Sequence, residues 1–90
     1  MALLKFDRDF APNPYALACV LWADAPSGKR VRFLIDHSIL HDVLGSGNAV
    51  RDNANLALCR TERARIVAAC TRAFASRPAV RIELRQNDFQ

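Results

Sequence analysis

The chain has 90 residues and a mass of 10.0 kDa, the size of one domain around one core, and a hydrophobic fraction of 51% beside a charged fraction of 24% argues against disorder. The longest apolar run, from Tyr15 to Ala23, falls far short of the roughly 20 residues that a helix needs to cross a bilayer, and the start of the chain becomes charged too soon for a secretory signal; a cytoplasmic protein without membrane contact is expected. The net charge of +4 arises in the second half, because residues 1–50 hold five basic and five acidic groups whereas residues 51–90 hold eight arginines against four acids.

After a lead containing Pro12 and Pro14, residues Tyr15 to Ala23 read as a strand. Its faces, Leu17, Cys19 and Leu21 against Ala18, Val20 and Trp22, are both apolar, which suggests a strand covered on two sides. Asp24-Ala-Pro-Ser-Gly-Lys29 supplies a type I turn with a glycine bulge. The returning strand, Lys29 to Asp36, alternates Val31, Phe33 and Ile35 with Arg30, Arg32 and Leu34. Ser38 is the expected N-cap of a short helix carrying Ile39, Leu40, Val43 and Leu44 and ending at Gly45. A loop leads to a long helix from Asp52 or Asn53 to about Ser76, with Cys59, Ile66, Cys70, Ala73 and Phe74 on one side and Pro78 closing it. The last strand, Ala79 to about Arg85, sets Val80, Ile82 and Leu84 against Arg81, Glu83 and Arg85.

The expected fold is α+β in two layers, a small and mostly antiparallel sheet packed on two helices in the order β-β-α-α-β. Fifteen of the 46 hydrophobic residues are alanine, which suits a helix lying close against a sheet. The whole chain, residues 1–90, is expected to be a single domain.

Chemistry is thinly signalled. The three cysteines, Cys19, Cys59 and Cys70, form no CxxC pair and no zinc spacing, and they read as core. His37 and His41 stand four apart between Asp36 and Asp42, but a cap at Ser38 leaves His37 outside the helix and breaks the shared face that paired ligands use. Gly45-Ser-Gly-Asn lacks the remaining elements of a phosphate loop. No metal, no cofactor and no catalytic residue is expected. Arg63 borders the apolar seam of the long helix, where an arginine usually lays its stem on the core and pairs with a nearby acid, Asp36 or Asp88 here; a contact to a bound anion is the alternative.

The run Arg63-Ala-Arg-Ile-Val-Ala-Ala-Cys-Thr-Arg-Ala-Phe74, the alternating strand after it and Asp88-Phe89 resemble the uncharacterised bacterial family known as domain of unknown function 1488. The Leu4 to Asp7 start, the Gly28 to Arg32 hairpin return and the Ser38 helix with His41-Asp42 follow the same outline, although Leu58-Cys59 stands where that family has an aromatic. The resemblance implies a small α+β fold and a bacterial protein with no established activity.

One sheet face is too apolar for solvent and too basic for a core: Trp22, Val20 and Leu34 beside Arg30, Arg32, Arg81 and Arg85. The expected function is that of a noncatalytic domain that forms a homodimer or binds a protein partner through this face, since aromatics and arginine are enriched at interfaces. The alternative is single-stranded nucleic acid, with Trp22 and Tyr15 stacking on bases and arginines meeting phosphates.

Overall fold

The structure is a computed structural model that describes residues 4–12, 19–45 and 52–89. The elements are β1 (Ala11–Pro12), β2 (Cys19–Asp24), β3 (Arg30–Ile35), α1 (His37–Asp42), α2 (Asp52–Thr61), α3 (Arg63–Ser76) and β4 (Arg81–Glu83), followed by a 3₁₀ turn, Gln86–Phe89. The sheet is mixed, in the order β1-β2-β3-β4. The first two pairings are antiparallel, and β4 joins β3 in parallel after the helical crossover that such a pairing requires. The α+β class is as expected.

The hairpin follows its turn residues. Gly28 donates its N–H to the Ala25 carbonyl at 2.9 Å and takes φ 88°, a left-handed conformation that glycine adopts without a Cβ clash. Ala25 N–H then reaches the Lys29 carbonyl at 2.8 Å, closing the bulge and fixing the register Trp22 on Arg32 and Leu21 on Phe33. Val31, Phe33 and Ile35 are buried, as are Cys19, Leu21 and Ala23 beside them. Against this face α3 sets Ile66, Ala69, Cys70 and Ala73, all fully buried, the small side chains letting helix and sheet approach closely.

Of the strand expected from Tyr15, the described part is β2; its expected start at Tyr15, Leu17 and Ala18 lies outside the described residues, as does the expected loop at 46–51. Two other expectations are corrected. The N-cap of α1 is Asp36, not Ser38. Asp36 has extended backbone (φ −79°, ψ 174°), and its Oδ1 accepts the Ile39 N–H at 3.0 Å and the Ser38 hydroxyl at 2.8 Å. His37 is therefore inside the helix, and the geometric ground for setting it apart from His41 falls. Among the described residues, no three His, Cys, Asp or Glu side chains are grouped as a metal site would group them.

The expected long helix bends into two at Glu62 (φ −96°, ψ 20°). The hydrogen-bond ladder persists through the bend, with Glu62 N–H on the Leu58 carbonyl at 2.9 Å and Ile66 N–H on the Glu62 carbonyl at 3.1 Å. The Thr61 hydroxyl donates back to the Ala57 carbonyl at 3.0 Å, a contact that bends helices by drawing a carbonyl outward.

The N-terminal lead is part of the fold. Lys5 and Asp24 exchange main-chain hydrogen bonds at 2.9 and 3.0 Å, Phe6 lies 6.0 Å from the Phe33 ring, and Phe10 is buried. No helix among the described residues is long and apolar enough to cross a membrane.

All three cysteines are buried and none is in a disulfide. Hydrogen bonding with Cys19, reinforced by burial, pushes the Cys59 thiol up; burial pushes up that of Cys70. Since the thiolate is the reactive form, native protein at pH 8 is expected to resist thiol-specific reagents, with all three sites modified only after denaturation. A cysteine reacting in native protein at the rate of a small free thiol would contradict this burial.

Candidate interaction face

Residues opposite one another on paired strands share a sheet face. The register thus sets Trp22 of β2, Arg32 of β3 and Arg81 of β4 in one row across the side of the sheet away from α3. The neighbouring row is Val20, Leu34 and Glu83, and beyond the first row Asp24 pairs with Arg30. The Arg30 guanidinium lies 5.9 Å from the centre of the Trp22 ring, within cation–π range. Arg85 follows β4, exposed, its main-chain N–H held by the Asp88 carboxylate at 2.8 Å. The sheet thus gathers Trp22, Arg30, Arg32, Leu34 and Arg81 on one face, with Arg85 at its end.

This face is less apolar in the folded protein than in the sequence pattern. Val20 is only 5% exposed, apart from the main core cluster, while Trp22, Arg32 and Leu34 are half-buried and Arg30, Arg81 and Arg85 are exposed. What reaches solvent is mostly guanidinium, flanked by the edges of an indole and a leucine.

The arginines divide sharply by partner. Arg8, Arg60, Arg65 and Arg77 each lie within 4 Å of a carboxylate, on Asp24, Asp9, Glu62 and Asp88 respectively. On Asp9 the Arg60 guanidinium holds the carboxyl below its usual range. Arg30, Arg32, Arg81 and Arg85 have no ion pair with any described residue. Arg32 and Arg81 moreover stand directly opposite each other, and like charges at such a position are destabilising. The sequence, with eleven arginines, carries no mark that separates these two groups.

Arg63 is not on this face. Its Nη1 donates to the Arg8 carbonyl at 3.2 Å and its Nη2 to the Phe6 carbonyl at 2.8 Å, with the guanidinium 5.7 Å from the Phe10 ring. Neither acid expected beside it is there: Asp36 caps α1 and Asp88 binds Arg77. Its guanidinium is instead engaged by main-chain carbonyls of the N-terminal segment, which corrects the acidic partners named from the sequence. Val80, which its alternation groups with the buried Ile82 and Leu84, is instead 53% exposed, and it lines a groove of about 220 Å³ with Ala25, Val31, Phe74, Pro78 and Ala79.

Compared with known proteins, the chain matches no family model, no curated protein and no solved structure.

Proposed function

We propose that the protein is a noncatalytic binding domain whose sheet face, centred on Trp22, Arg32, Leu34 and Arg81, takes an acidic partner protein. The observation that carries this reading is the row Trp22, Arg32, Arg81, in which two arginines stand side by side with no described carboxylate within 4 Å of either. A partner's carboxylates relieve that repulsion and form charge-assisted, bidentate hydrogen bonds, while Trp22 and Leu34 supply apolar contact. Two copies meeting face to face would oppose their arginine rows, so a homodimer through this face is disfavoured. The resemblance to domain of unknown function 1488 is part of the same proposal and contributes no site residue.

The unpaired arginines also favour a second reading, single-stranded nucleic acid. It ranks lower because Trp22 is the one aromatic among the described residues of the face, already stacked by Arg30, where strand-binding surfaces offer several rings in succession.

Trp22 is the only tryptophan in the chain, so its fluorescence reports on the face. Titration at low salt with polyglutamate and, separately, with a mixed-sequence oligonucleotide is expected to perturb the emission with the acidic polypeptide. Arg32→Glu should weaken that response about tenfold or more. A response confined to the oligonucleotide, with log K falling against log salt at roughly −0.7 per phosphate neutralised, would move the assignment to nucleic acid. Silence in both titrations would overturn both readings.

A further inference from the structure

The β4 strand is at the end of the sheet order, and among the described residues no strand lies beyond it. Its hydrogen-bonding direction follows from the parallel register. The Val80 carbonyl accepts from Arg32 N–H at 2.8 Å and Leu84 N–H donates to the Leu34 carbonyl at 3.0 Å, with Arg32 opposite Arg81 and Leu34 opposite Glu83. Val80, Ile82 and Leu84 therefore turn their main-chain groups toward β3, whereas Arg81 and Glu83 turn theirs outward. An open edge of this kind is a template for another strand.

Charge selects the strand. In an antiparallel pair of identical edges centred on Ile82, Arg81 of each copy stands opposite Glu83 of the other. These are the two residues whose main-chain groups point outward, so each Arg81–Glu83 pair exchanges both of its backbone bonds. A centre at Arg81 sets Arg81 against itself. A centre at Glu83 sets Glu83 against itself and Arg81 against Arg85, and parallel in-register pairing again opposes like charges. Of the three antiparallel registers centred within β4, only that on Ile82 is complementary throughout, and it lays Val80, the one large hydrophobic residue exposed among the described residues, opposite Leu84 of the other copy. The Glu83 carbonyl already accepts from Arg77 Nη2 at 3.3 Å, but a carbonyl oxygen has a second lone pair for the strand bond.

We propose that two copies of the chain join antiparallel through their β4 edges across a two-fold axis at Ile82, with Arg81 of each opposite Glu83 of the other. The contact is isologous and closes at two copies. It makes the two sheets one, so the basic faces of both copies become continuous. The inference rests on the edge; it shares Arg81 with the open face and leaves Trp22, Arg32 and Leu34 to whatever that face binds.

Charge reversal tests it on the full chain. In sedimentation over a concentration series, wild-type protein is expected to rise from the 10.0 kDa monomer toward twice that mass. Arg81→Glu alone and Glu83→Arg alone should each weaken the dimer by about 10- to 100-fold, because two attractive pairs become repulsive. An equimolar mixture of these two variants should dimerise again, since every cross-strand pair is then opposite in sign, a recovery that misfolding cannot imitate. Trp22→Glu should leave the mass of the wild type unchanged. A wild-type chain that stays monomeric, or a mixture no heavier than its components, overturns the proposal; so does a Trp22→Glu variant that falls to the monomer while the charge reversals do not.

Discussion

Replacement of Asp88 by Ala is expected to lower the unfolding free energy by about 2–4 kcal/mol, read as a shift in urea midpoint at unchanged slope. Asp88 is 6% exposed and is the one buried charged residue among those described. Its Oδ1 accepts from Arg77 Nη1 at 3.1 Å, and its Oδ2 accepts from Arg77 Nη2 at 2.9 Å and from the Arg85 N–H at 2.8 Å. Its own carbonyl accepts from Arg72 at 3.1 Å. One side chain thus ties Arg77, the C-cap of α3, to the chain leaving β4 and to the 3₁₀ turn. Truncation leaves the Arg85 N–H without its acceptor, and the desolvation cost of an orphaned group exceeds the net worth of an ordinary hydrogen bond.

The same site sets a pH dependence. The Arg77 guanidinium, aided by the Arg85 N–H, holds the Asp88 carboxyl below its usual value of 3.8 against the opposing effect of burial. A depressed folded-state pKa stabilises the fold at pH values above the unfolded pKa, and that stabilisation is lost as pH falls through the folded value. Asp88 therefore contributes a constant amount between pH 5 and 8. Below about pH 4 its contribution declines. The stability gap between wild type and Asp88→Asn should be flat at neutral pH and narrow only in acid; a gap that narrowed between pH 6 and 8 would assign it to another group.

Where local pattern and tertiary environment agree, the fold was legible in the sequence. The alternation of Val31, Phe33 and Ile35 with Arg30, Arg32 and Leu34 put the first set in the core, and Pro26 with Gly28 marked the turn that sets the hairpin register. The α3 seam was legible because Ile66, Cys70 and Ala73 recur at helical spacing. The bend at Glu62 was not, since neither proline nor glycine marks it and the Thr61 back-bond is one of several options open to a threonine. The cap of α1 was misplaced because Asp36 and Ser38 are both good capping residues, and the exit of β3 decides between them by leaving Asp36 extended.

The candidate face was legible only in part. Alternation showed which side of each strand its residues occupy, but not that Val20 is covered nor which arginines have acids beside them. The N-terminal segment held an unread signal: Leu4, Phe6 and Phe10 are more buried than the exposed Lys5, Asp7 and Asp9 between them, the period-2 pattern of a half-covered extended chain. Arg63 could not be assigned from sequence because its partners are main-chain carbonyls, which every residue has.

That segment yields the second large effect. Arg63→Met keeps a similar apolar stem but removes both donors, leaving the Phe6 and Arg8 carbonyls without the guanidinium that joins them to α3. A loss of about 2 kcal/mol is expected, and Arg63→Ala should cost about 1 kcal/mol more because the stem's packing beside Phe10 also goes. Lysine should recover only part of the loss, since its single ammonium cannot reproduce the planar fork that spans two carbonyls. The damage should begin locally. Residues 4–12 are joined to the body by the β1–β2 pairing, the Phe6 and Phe10 rings, the Lys5–Asp24 main-chain pair, the Arg8–Asp24 and Arg60–Asp9 ion pairs and the Arg63 contacts. With the last of these gone, the Lys5 and Asp24 amides should lose hydrogen-exchange protection before those at the centre of β3 do. Equal loss of protection in both places would mean that the segment and the core open as one cooperative unit, and unchanged protection at Lys5 and Asp24 would show that Arg63 does not hold the segment in place.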